Sequence, residues 1–147
     1  MTDTALAPSH AAPSHRPGAH HLETRLPSLE LAGIAGLGAI IAIHAADLAG
    51  KVSEVAYLGF GFLALIVTSF VAIVMLAVGD RRRGWALAGL TAGATFLGYV
   101  VTRATGFPSS HDDLGNWGET LGVWSLLVEG AVVLLSAAGL RARRRAA

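Results

Sequence analysis

Apolar and polar positions do not alternate finely along this chain; they come in blocks. Four long apolar runs, at about residues 28–49, 54–79, 84–105 and 117–140, are separated by short polar breaks. Each is near the ~20 residues that cross ~30 Å of hydrocarbon at ~1.5 Å rise per residue. None shows the period of two that marks a strand. The pattern predicts an all-α integral membrane protein, a four-helix bundle spanning 28–140, with a basic C-terminus at 141–147. Local signals agree with these limits. Pro27 and Ser28 suit a helix start, and Glu30 suits the positive end of the helix dipole. Ser53 is a candidate N-cap for the second span. Gly106 followed by Pro108 is a stop signal for the third. Asn116-x-x-Glu119 resembles a capping box at the start of the fourth.

Residues 1–27 carry no such pattern. They are rich in Ala, Pro, Ser and His, and a disordered tail is expected there. Their apolar content starts too late, and the run that follows is too long, for a signal peptide. His10, His15, His20 and His21 lie in this tail, where a His tract can chelate metal, although a plain flexible tail is the simpler reading.

Composition sharpens the picture. Apolar residues make up 53% of the chain and charged residues only 14%, well below the quarter usual in soluble domains. The absence of cysteine excludes disulfides, thiolate metal sites, iron–sulfur clusters and covalent c-type haem. A net charge of +1 gives no field for nucleic acid, so lipid is the partner the sequence implies. Arg16 and Arg25 precede the first span, Arg81, Arg82 and Arg83 separate the second from the third, and Arg141, Arg143, Arg144 and Arg145 follow the fourth. The other two connections hold only Lys51 and Arg103 among several acids. The positive-inside rule then places both termini in the cytoplasm of a multi-pass plasma-membrane protein. Trp85, Tyr57, Tyr99, Trp117 and Trp124 fall near span ends, as an aromatic belt requires.

Small residues mark the expected packing faces. Gly89 and Gly93 form a small-xxx-small pair. A second face of the third span reads Gly84, Ala88, Thr91, Thr95, Gly98, Thr102, and the fourth span carries Gly122, Ser125, Glu129, Ser136 and Gly139. Such stripes let helices approach and hydrogen-bond in lipid.

Four ionisable residues within or at the ends of spans are candidate ligand-binding residues: His44, Asp47, Arg103 and Glu129. A charge at mid-span costs at least ~2.5–3.5 kcal/mol, so each needs a partner or a purpose. Glu129 follows Glu119 by about ten residues, hence roughly 15 Å of depth. It must be neutral or paired. His44, Asp47 and Lys51 share one helix face. Side chains tilt toward their own helix N-terminus, so His44 and Arg103 lean into the membrane from one side and Glu129 from the other. In this arrangement His44 titrates or ligates, Asp47 orients it, and Arg103 holds an anion or pairs with Glu129. The plainer readings are a snorkelling Arg103, a satisfied interior His44, Glu129 bonded to a neighbouring hydroxyl, and a solvated loop set of Asp47, Lys51 and Glu54. In the loop between the third and fourth spans, His111, Asp112 and Asp113 are candidate metal ligands of a kind that suits zinc or copper, without a defined ligand spacing.

The stretch "RATGFP…HDDLGNWGETLGVWSLLVEG" resembles a group of small, uncharacterised four-span membrane proteins from high-GC Gram-positive bacteria. The shared positions are Arg103, Gly106, Pro108, Asp112, Asp113, Gly115, Asn116, Trp117, Glu119, Gly122 and Glu129, with His44 and Asp47 similar as well. Members often have Pro after the loop Glu, where this chain has Thr120. The resemblance covers the four spans and implies the fold, without an activity.

No Walker or dinucleotide motif, serine elbow or H-E-x-x-H is present. A lone intramembrane His excludes bis-histidine haem within one chain. No cofactor follows from the sequence. The expectation is a non-enzymatic membrane protein whose polar site binds an ion, protons or a small polar ligand. The alternative is an accessory or assembly subunit whose glycine faces dock a larger membrane complex and whose polar groups serve helix packing only; a homo-oligomer is a further partner expectation. A quinone-linked redox enzyme has no motif in its favour.

Overall fold

The computed structural model describes residues 25–106 and 113–146. Among them are four helices and no strand: α1 (Arg25–Glu54), α2 (Ala56–Ala77), α3 (Arg81–Thr105) and α4 (Thr120–Ala146). Consecutive helices pack side by side, and α1 also packs on α4, which closes a ring of four. Short connections make neighbours antiparallel. Val55 alone separates α1 from α2. Residues 78–80 join α2 to α3, with Gly79 at φ +96° providing the left-handed residue that turns the chain out of α2. All four helices are long and apolar enough to cross a membrane, as the sequence pattern predicts, and the protein is a multi-pass membrane protein.

The buried positions follow a strict rhythm. On α1 they are Glu30, Gly33, Leu37, Ile40 and His44; on α4 they are Gly122, Ser125, Glu129, Val132, Ser136 and Gly139. Steps of three and four residues average 3.5, the repeat that wraps antiparallel helices with a slight left-handed supercoil. The lipid face is equally apolar, with Phe60, Phe70, Leu97 and Leu134 exposed. Residue size and polarity, more than hydrophobicity, therefore mark the inward face. The α3 stripe and the α4 stripe both turn inward where the sequence places them.

The two ends of the bundle differ. At the basic end, where Arg81, Arg82, Arg83, Arg143, Arg144 and Arg145 gather, Trp85 is fully buried. Its ring lies against Gly33 and Gly139, and a methyl group at either position would collide with it. Trp85 is thus a core residue and no part of an aromatic belt. Glu30 is also buried; its carboxylate pairs with the Arg81 guanidinium and lies 3.9 Å from that of Arg143. It joins three helices and does not cap its own. At the opposite, loop end, Tyr57, Trp117 and Trp124 are exposed as a belt requires.

Several helix limits differ from the sequence expectation. The arginines at the basic end are helical, so α3 starts at Arg81 and α4 runs to Ala146. Ser53 lies inside α1, its hydroxyl donating to the Gly50 carbonyl at 2.7 Å, and Val55 takes the N-cap position of α2. The capping box at Asn116 does not form. Helix α4 begins at Thr120, and the Asn116 amide donates to the Asp113 carbonyl in a turn.

Candidate functional site

The loop-end half of the bundle encloses a cavity of about 670 Å³ lined by all four helices. Its walls are mostly apolar, with a few polar groups converging on one volume. His44, Asp47, Arg103 and Glu129 all line it. The structure therefore gathers the four candidate ligand-binding residues around one space, though not with the pairing expected of them.

Glu129 sits in the α4 stripe and is 0% exposed. Its Oε1 accepts a hydrogen bond from the Ser125 hydroxyl one turn earlier, at 2.6 Å. Its Oε2 is buried with no hydrogen-bond partner among the described residues. This carboxyl group is half satisfied, and burying an unmade hydrogen bond costs about 1–3 kcal/mol. The plain reading of Glu129 as bonded to a neighbouring hydroxyl accounts for one oxygen only.

His44 comes from α1 at the same level. Its Nδ1 donates to the Ile40 carbonyl at 2.9 Å, which fixes the ring and leaves Nε2 facing Glu129 Oε1 at 3.6 Å. In a neutral ring held this way, Nε2 is an acceptor. The edge of the pair is shielded by Phe62, whose ring meets the imidazole edge-on at 4.9 Å between centroids. Asp47 lines the cavity one turn further toward the loop end, but the backbone of Ile40, not Asp47, orients the imidazole.

Arg103 differs most from expectation. It is 5% exposed and pairs with neither His44 nor Glu129. Its Nη1 meets Asp113 Oδ1 at 2.5 Å, and its Nη2 pairs with Glu119. Its guanidinium also stacks 4.7 Å from the Tyr99 ring centroid. The loop reaches Arg103 because the chain doubles back: Gly115, at φ +75°, donates its amide to the Arg103 carbonyl at 2.9 Å. Lys51 adds a second cation, 3.7 Å from Asp113. Arg103 is therefore the anchor that folds the described part of the loop over the cavity mouth, and no free anion is needed to neutralise it.

Of the candidate metal ligands, His111 and Asp112 lie outside the described residues. Asp113 is engaged by Arg103 and Lys51. Among the described residues no group of three or more His, Asp or Glu is placed to hold a metal ion.

The neighbouring hydroxyl expected for Glu129 is that of Ser125, four residues earlier on the same helix face. Sequence reasoning missed Tyr99 and Phe62 as walls of the site. No protein-family model, curated protein or solved structure matches this chain. Fold and cavity define its class: a four-span membrane protein with a mostly apolar chamber, holding a few polar groups, in one half of its bundle.

Proposed function

We propose that this protein binds a small ligand or ion in the loop-end cavity, with Glu129 as the principal contact and His44 beside it. The observation that carries this reading is Glu129 itself, a buried residue beside a 670 Å³ chamber whose Oε2 has no hydrogen-bond partner among the described residues. A carboxyl group used only to lock helix register would have both oxygens satisfied in tight packing. A mostly apolar pocket with a few convergent polar groups is the usual form of a small-molecule site. Positive-inside logic supports a plasma-membrane orientation with both termini in the cytoplasm and the cavity opening outward. The likeness to small four-span proteins of high-GC Gram-positive bacteria belongs to the same proposal, since Arg103, Asp113, Glu119 and Glu129 of that pattern line one chamber. Gly89 and Gly93 turn toward α4, where Ser136 and Val133 stand, which supports a packing role for this pair inside the bundle.

Native mass spectrometry of the full-length protein, released from mild detergent, tests this. The expected result is a co-purifying mass that Glu129→Gln and His44→Ala remove while the bundle stays folded. A bare chain in the wild type, or a mass retained in both variants, overturns it.

A further inference from the structure

We propose that the cavity takes lipophilic organic cations directly from the bilayer, through a gap between α2 and α3, and holds them at Glu129. This rests on the cavity being a binding site and adds the class of ligand and its route.

The route comes from residues that belong to two surfaces. Gly61 and Ala64 of α2 and Leu90 and Ala94 of α3 line the cavity and are themselves exposed. They lie well inside the spans, so the opening they frame faces acyl chains. The α2–α3 pair closes tightly only at the basic end, where Gly84 lies against Leu76. Toward the loop end a methyl group added to Gly61 or to Gly98 would meet nothing within 4 Å, so space stays open beside both residues where the aperture is placed.

The class of ligand comes from charge and walls. The chamber is lined by four carboxylates, Asp47, Asp113, Glu119 and Glu129, against two cations, Lys51 and Arg103. Both cations face Asp113, and Arg103 also holds Glu119. Among the described residues, Asp47 and Glu129 face no Lys or Arg at ion-pair distance. A cation that reaches Glu129 takes the place of its proton, which passes to the His44 Nε2 acceptor or to water, whereas an anion finds no positive partner there. Tyr57, Phe62 and Tyr99 are among the lining residues, and aromatic rings are side chains that stabilise a desolvated cation. A small metal ion needs several oxygen ligands to replace its water, and no cluster of three such groups is present among the described residues. A bulky organic cation carries little hydration to lose and fills an apolar chamber.

Tetraphenylphosphonium and its near-isosteric anion tetraphenylborate are the probes. The full-length protein in lipid nanodiscs is titrated with each by calorimetry, against empty nanodiscs. The cation is expected to bind, with Glu129→Gln weakening it at least about tenfold, and the anion to give no signal beyond lipid. Gly61→Leu and Gly98→Leu are expected to slow loading several-fold in stopped-flow mixing, with thermal unfolding unchanged. Equal binding of the two ions overturns the cation class and needs no variant. Full affinity in a folded Glu129→Gln overturns the contact. Unchanged loading in both glycine variants overturns the route. If no cation binds but the co-purifying mass still depends on Glu129, the ligand class falls and the binding cavity stands; if that mass is absent too, both fall.

Discussion

The two halves of this bundle are made from the same four helices with the same 3–4 rhythm, yet one is solid and the other hollow. At the basic end the small residues Gly33 and Gly139 face one large ring, Trp85, which fills the space they leave. At the loop end Gly61, Ala64, Ala94 and Gly98 line the chamber with no large ring between them. In lipid there is little hydrophobic drive to collapse such a space, because acyl chains are as apolar as leucine. Whether a stripe of small residues gives contact or cavity is decided by what stands opposite it. The basic end spends its small residues on packing; the loop end packs Gly59 and Gly122 but leaves Gly61 and Gly98 beside open volume.

Breaking the solid half should cost most. Trp85→Ala is expected to destabilise the bundle by about 3–5 kcal/mol, measured by denaturant titration in mixed micelles. A loss below ~1 kcal/mol would mean that the slot closes on its own and that the two halves are not distinct. Next comes the lid anchor. Arg103→Ala leaves Glu119 without its cation and Asp113 with Lys51 alone, at a cost of about 3 kcal/mol. Glu119 is one-third exposed, so Asp113 should carry most of that coupling in a double-mutant cycle. At the basic end, Glu30→Gln removes a partly exposed ion pair and should cost nearer 1 kcal/mol, with a measurable salt dependence. Smallest in stability is Glu129→Gln. The amide keeps an acceptor for Ser125 and removes a carboxylate oxygen that has no partner, so a change below ~1 kcal/mol is expected while binding is lost. A large destabilisation by this variant, with binding intact, would make the loop end structural like its counterpart.

Much of this fold is legible in sequence because lipid leaves few choices. Run length alone places four helices, and the small-residue stripes of α3 and α4 identify the faces that turn inward. The depth of Glu129 and the tilt of side chains on opposed helices bring His44 and Glu129 toward each other, and the structure sets them 3.6 Å apart. What sequence could not supply is the return path of the chain. From sequence, side-chain tilt leans Arg103 toward Glu129, but the turn at Gly115 delivers Asp113 and Glu119 to it first. Trp85 fails for a related reason. Its distance from the arginines of residues 81–83 suits a membrane interface, and only Gly33 and Gly139, distant in sequence, reveal a slot for it. Glu30 reads locally as a dipole partner because its cations belong to helices that come later in the chain.

That last point bears on how the protein is built. Glu30 leaves the ribosome well before Arg81 and long before Arg143, so α1 enters the membrane carrying a carboxylate whose counter-charges do not yet exist. The first hairpin, α1 with α2, therefore stays provisional until α3 arrives, and chains truncated after α2 should be cleared by quality-control proteases faster than chains ending after α3. Order of synthesis is thus written into the bundle as a single ionic clasp that the final helices fasten.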